Sequence, residues 1–191
     1  MSNNNAPFGF SASRRLDGAA PNYATRNFPI LYSNTTAIGR GDAVALSGGY
    51  VVLAATTTAP VLGVMDGAEW YDTSFKQPIW SPQWTGTATA LSGSVYAKII
   101  SDVNQVFEVQ ASGANIPQTA IGLNANFVAG AVSATGLSTE SLDSASTSTT
   151  NTLPFRIVGL GQRANTDSTA SYNLIEVVLN DSSWNQLTGQ A

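Results

Sequence analysis

The side chains left to carry chemistry in this chain are its carboxylates, eight Lys and Arg, six Tyr and many hydroxyls. Asp66, Glu69 and Asp72 fall close together in the run MDGAEWYD. Oxygen ligands at such spacing could hold Ca²⁺, and two carboxylates facing one another across a cleft could hydrolyse a glycosidic bond. The spacing misses the EF-hand pattern, however, and Asp66-Gly67 is a tight-turn dipeptide expected to close a hairpin. Turn chemistry is the stronger reading. The remaining toolkit is short, because the 191 residues include no histidine and no cysteine. That removes the commonest general base, thiolate nucleophiles, disulfides and the usual zinc and iron–sulfur ligands. The sequence therefore assigns no catalytic residue, no metal ligand and no cofactor, and the chain reads as a non-enzyme.

The second chemistry-bearing group is aromatic. Trp70, Tyr71, Phe75, Trp80 and Trp84 are interleaved with Pro78 and Pro82. Exposed indole and phenol rings could form a carbohydrate-binding platform. The same residue types dominate cores and subunit contacts, which is the stronger reading. Two arginines, Arg14 and Arg15, could pair with a partner's carboxylates. Gly39-Arg40-Gly41-Asp42 contains an RGD string, but such short matches are common and this one sits just before a strand.

Charge narrows the partners. Charged residues make up 10% of the chain and the net charge is −4, against a usual charged fraction of about 25%. With no basic cluster beyond Arg14-Arg15, counterion release onto a phosphate backbone has little to work with. No nucleic acid is expected as a partner. Ser, Thr and Asn fill the deficit, and a neutral hydroxyl-rich surface costs less to desolvate than a charged one, which suits packing against other proteins. The opening MSNNNAPFGF lacks a basic region followed by an apolar one, so no signal peptide and no membrane are expected. The longest clean apolar run, YVVLAA at 50–55, is far too short to span a bilayer.

The elements that must position these groups read as strands. DAVALS, Gly48-Gly49 and YVVLAA form a hairpin signal with a two-residue glycine turn. VLGVM at 61–65 predicts a strand ending at Asp66-Gly67. SVYAKII at 94–100 sets Val95, Ala97 and Ile99 against Tyr96, Lys98 and Ile100. QVFEVQ follows after four residues, predicting a second hairpin with one face buried and one mostly wet. IGLNANFVAG predicts a short strand around Phe127, and PFRIVGL and NLIEVVLN predict two more. Residues 133–152 read as a Ser/Thr-rich loop insertion, with a hint of helical turn at 139–143. Residues 1–29 read as an extended N-terminal arm, with Phe8, Phe10, Leu16, Tyr23 and Phe28 as spaced anchors. The expectation is an all-β fold, a compact barrel or sandwich over 30–191.

The order of motifs resembles a family of tailed-bacteriophage head decoration (cement) proteins. The residues that carry the likeness are GFSASRRLDGAAPNY at 9–23, GDAVAL at 41–46 and LGVMDGAEWYD at 62–72. It continues through VYAKIISDVNQVFEVQASG at 95–113, IGLNANFVAG at 121–130, PFRIVGLG and NLIEVVLN. Each motif is short and unspecific; their collinear order over most of the chain is what resembles the family. The resemblance implies a structural virion protein on the outer surface of a phage capsid, made in the host cytoplasm and stabilising the shell by bridging subunits. Its implied partners are the major capsid protein and further copies of itself as a homo-oligomer, with a trimer the candidate state. Contact residues are then expected among Phe8, Phe10, Arg14, Arg15, Leu16, Tyr23, Phe28, Trp70, Tyr71, Trp80 and Trp84. The alternative is a carbohydrate-binding or host-attachment module of a virion.

Overall fold

The N-terminal segment contributes to two different sheets. In the computed structural model, which describes residues 2–21, 23–56, 60–86, 89–164, 166–180 and 182–183, β1 (Ser11–Arg15) and β2 (Arg26–Pro29) pair with strands of this chain. Both lie on the chain's own body. Phe10, just before β1, is buried and stacks on Phe155 with ring centroids 4.2 Å apart. Aromatic pairs of this kind add to the gain from area burial.

The glycine hairpin forms as read. β3 (Ala43–Ser47) and β4 (Tyr50–Leu53) pair antiparallel with Ser47 opposite Tyr50. Gly48 and Gly49, at φ 55° and 82°, take the left-handed backbone that a two-residue hairpin turn requires. The next expectation fails. β5 (Gly63–Asp72) does not stop at Asp66-Gly67 but runs ten residues, and Asp66 is a bulge between the Met65–Ile99 and Gly67–Lys98 pairs. Asp-Gly suits a bulge as well as a turn, and local composition alone does not distinguish them. The turn comes at Asp72, whose carboxylate accepts hydrogen bonds from the backbone N–H of Ser74 and Phe75 and leads into β6 (Gln77–Ser81).

The second expected hairpin is also absent. β7 (Tyr96–Ile100) lies between β2 and β5, so both its edges are occupied. β8 (Gln105–Gln110) therefore passes to the other sheet, between β1 and β13 (Leu174–Leu179). Its polar side is not wet. Gln110 accepts from the Ala6 N–H and donates to the Asn4 carbonyl, Gln105 donates to the Arg14 carbonyl, and Glu108 pairs with Arg163. Buried polar groups need such partners, and the N-terminal segment supplies most of them.

Short strands β9 (Asn124–Ala125), β10 (Phe127–Val128) and β11 (Ser141–Leu142) lead into β12 (Phe155–Leu160). β10 and β11 pair with each other, so the expected helical turn at 139–143 is strand instead, and Leu142 is buried in the main core. The five-stranded sheet has order β1-β8-β13-β12-β9; the six-stranded one has order β2-β7-β5-β3-β4, with β6 beside β5. The fold is all-β and sandwich-like, with no closed barrel among the described residues.

Two cores result. Ala43, Val64 and Ile100 of the six-stranded sheet pack against Phe107, Ile157, Ile175 and Val177 of the five-stranded one. On the opposite face, Val44, Met65, Ala68, Ala97 and Ile99 pack with Trp70, Ile30, Ile38 and Trp84. The bulge makes this possible. Met65 and Ala68 are an odd number of residues apart, and without the extra residue at 66 strict alternation would put them on opposite faces.

Candidate functional site

The three carboxylates that lie close together in sequence are separated in space by their roles. Asp66, on the bulge, forms a 2.7 Å ion pair with Arg40. Glu69 points out of the sheet and pairs with Lys98 at 2.9 Å. Asp72 is buried under its turn, where it also accepts a 2.7 Å hydrogen bond from the Thr89 hydroxyl. The Phe75 N–H is the largest of the contacts that hold its carboxyl below the ordinary range. One strand thus uses three acids for three separate structural contacts, and they do not form a joint ligand set or a facing pair.

A different pair of acids does converge. Asp42 and Glu140 are both fully buried. Asp42 Oδ2 accepts from the Gly39 N–H at 2.6 Å, and Glu140 Oε2 accepts from the Ala43 N–H at 2.8 Å. The second oxygen of each carboxyl has no hydrogen-bond partner. Burial, reinforced by the neighbouring Asp42 charge, pushes Glu140 up to about 9, and burial likewise raises Asp42. The arrangement suits a protonated acid inside the fold. It also removes the RGD reading, since the aspartate of that string is inaccessible and its Arg40 is committed to Asp66.

The structure divides the candidate contact residues. Phe10, Trp70 and Trp84 are core: Trp84 meets Trp70 edge-on at 5.7 Å and donates its indole N–H to the Asn34 carbonyl. Phe28 is half-buried against that core, with the Arg26 guanidinium over its ring. Phe8 is half-buried, with Arg163 over its ring. Arg14 pairs with Glu176, and Arg15 with Asp102 at 2.9 Å, so both meet carboxylates of this chain. Leu16, Tyr23, Tyr71 and Trp80 remain exposed.

Three of those four line two grooves, and Leu16 lies apart from both. A groove of about 370 Å³ runs between the N-terminal segment and β5, lined by Phe8, Phe10, Tyr23, Arg40, Asp66 and Leu137. Tyr23 is 58% exposed there. Leu16, just past β1 and 52% exposed, lies in a separate depression with Arg14, Asp17 and Val106. Further along β5 a shallower groove of about 380 Å³ is lined by Glu69, Tyr71, Pro78, Trp80, Ser94 and Tyr96. Sequence reasoning weighed Arg40 only as part of the RGD string and passed over Leu137; the two reach the first groove through the loop pairing of Arg40 with Leu137. It also passed over Tyr96, although the alternation of 95–100 already set Tyr96 opposite the core-facing Ala97 and Ile99. No known protein family, curated protein or solved structure matches this chain.

Proposed function

We propose that this protein is a decoration protein of a tailed-bacteriophage head, bound to the outside of the shell and bridging neighbouring capsid subunits. The observation that carries the reading is the groove beside the N-terminal segment. It offers apolar side chains that the fold leaves uncovered, beside a single satisfied ion pair, on a surface with few other charges to desolvate. The collinear resemblance of the sequence supports the same reading. A capsid segment seated in the groove would cover Tyr23 and Leu137. Both are already about half buried, so covering the rest of each is worth roughly 1 kcal/mol. Modest contacts gain strength when one oligomer engages several sites of a lattice at once. Self-association and the major capsid protein as partner belong to this proposal, as does a place on the virion exterior.

The test is co-sedimentation with expanded shells of the phage that encodes the protein. Removing residues 1–29 would also remove β1 and β2, so point variants are the cleaner probe. Tyr23→Ser with Leu137→Ser should weaken shell binding while melting as the parent does. Shell binding unchanged by that double variant would overturn the reading.

A further inference from the structure

The second groove has a different chemistry. Tyr96 on β7, Glu69 on β5 and Trp80 on β6 are successive cross-strand partners, so they form one row across the exposed face. Trp80 is 54% exposed, and Tyr71 and Tyr96 stand beside it at 39% and 38%. The position of the indole follows from Gly67. A Cβ added at Gly67 would lie 3.0 Å from Trp80 Cζ2 and 3.2 Å from Cε2. The six-membered ring of Trp80 thus fills the space that any other side chain at 67 would occupy. It rests against the sheet on that side and is open to water on the other.

The polar groups of the row are preorganised. Glu69 Oε2 pairs with Lys98 Nζ at 2.9 Å, and Glu69 Oε1 accepts from Asn27 Nδ2 at 3.3 Å. All three stand on strands, where cross-strand register fixes their positions.

We propose that the exposed face of β5, β6 and β7 is a saccharide-binding platform, on which the Trp80 indole stacks against the apolar face of a neutral sugar ring while Glu69, Lys98 and Asn27 hydrogen-bond its hydroxyls. An apolar protein surface pressed onto this face would strip water from Glu69 and Lys98 and offer nothing in return. Sugar hydroxyls replace that water, donating to the carboxylate and accepting from the ammonium and amide. The opposite charges of Glu69 and Lys98 cancel, which favours an uncharged ring over an acidic or basic ligand. The groove is shallow, so weak binding strengthened by copy number on a lattice is its natural mode. Binding by a single copy does not depend on the shell-binding groove, while the gain from copy number rests on the proposed shell reading.

The experiment uses the purified full chain on a printed array of bacterial surface polysaccharides. Calorimetric titration with lactose, maltose, cellobiose and chitobiose accompanies it. At least one neutral saccharide should bind the parent protein. Trp80→Ala should weaken that binding about tenfold or more, the scale of a lost stacking ring. Trp80→Phe should restore part of it, and Glu69→Gln should weaken it without changing the melting temperature. No binding on the array or at about 10 mM sugar, or binding indifferent to Trp80→Ala, would overturn the proposal. So would loss of shell co-sedimentation in Trp80→Ala, which would give this face to the capsid. Failure of Tyr23→Ser with Leu137→Ser to affect shell binding would overturn only the shell reading.

Discussion

Val64 and Ile100 occupy the same face of the same two strands as Glu69 and Tyr96, a few residues further along. The first pair is buried beneath the five-stranded sheet, while the second faces water. Backbone pairing is continuous through both halves, so hydrogen bonding does not distinguish them. What differs is the layer above. The five-stranded sheet covers β5 and β7 only as far as the bulge at Asp66, and beyond it the row of Trp80, Glu69 and Tyr96, with Lys98 beside it, is partly open to water. The covered half holds the sandwich together, and the uncovered half is available for binding.

The comparison can be broken by substitution. Ile100→Ala in the covered half should cost about 2–5 kcal/mol in denaturant unfolding, since it removes a buried branched side chain and leaves a cavity. Tyr96→Ala in the bare half should cost no more than about 0.5 kcal/mol, in line with ordinary surface positions. Equal costs would mean that the bare half is not bare in solution.

The acid pair beside the covered half gives a pH signature. Glu140 has its folded-state value raised to about 9 from an ordinary 4.5, so between those values the folded state holds more protons than the unfolded one. Stability from this group is fully present below pH 4.5 and is lost progressively as pH rises through 9. The loss should reach a few kcal/mol, on the order of 1.4 kcal/mol per pH unit at its steepest. Glu140→Gln, which keeps a neutral side chain in place, should flatten the slope. A parent protein equally stable at pH 5 and pH 9 would show that the pair is not held protonated.

A smaller effect is expected at the boundary between the halves. Gly67→Ala puts a Cβ 2.9 Å from the Ser81 carbonyl oxygen and 3.0 Å from the Trp80 ring. It should cost about 1–3 kcal/mol through overpacking and shift the Trp80 indole resonance in NMR. An effect on the same small scale as Tyr96→Ala belongs to the Glu69–Lys98 pair on the bare face. A double-mutant cycle should return about 0.2–1 kcal/mol, falling with added salt; a larger, salt-insensitive coupling would mean that this face is covered.

Much of the fold was legible wherever a local period or turn carried it. The Gly48-Gly49 hairpin, β12, and the shared face of Ile175, Val177 and Leu179 in β13 all follow from alternation and turn residues. Asp66-Gly67 misleads because a bulge and a turn favour the same dipeptide. The supposed hairpin of β7 and β8 misleads because its four-residue connection fits a hairpin, while β2 and β5 already fill both edges of β7. The polar residues of β8 read as a wet face, yet Asn4, Ala6 and Arg14 reach them from the far end of the sequence. The aromatic cluster was visible as a cluster, but its division was not. Trp70 and Trp84 turn inward to meet each other, and Trp80 turns outward over a glycine.

Local pattern alone sets the all-β class, most of the long strands and the first hairpin, and the missing histidine and cysteine limit the available chemistry. These follow from side-chain period, backbone preference and composition, which act within a few residues. Only the tertiary structure decided which face of each strand is covered, that Asp42 and Glu140 meet inside the body, and that Trp80 stays exposed beside Glu69 and Lys98. Those outcomes depend on which distant segment lies above a given strand. Alternation gives each strand two faces, and only long-range packing decides which of them is left to solvent.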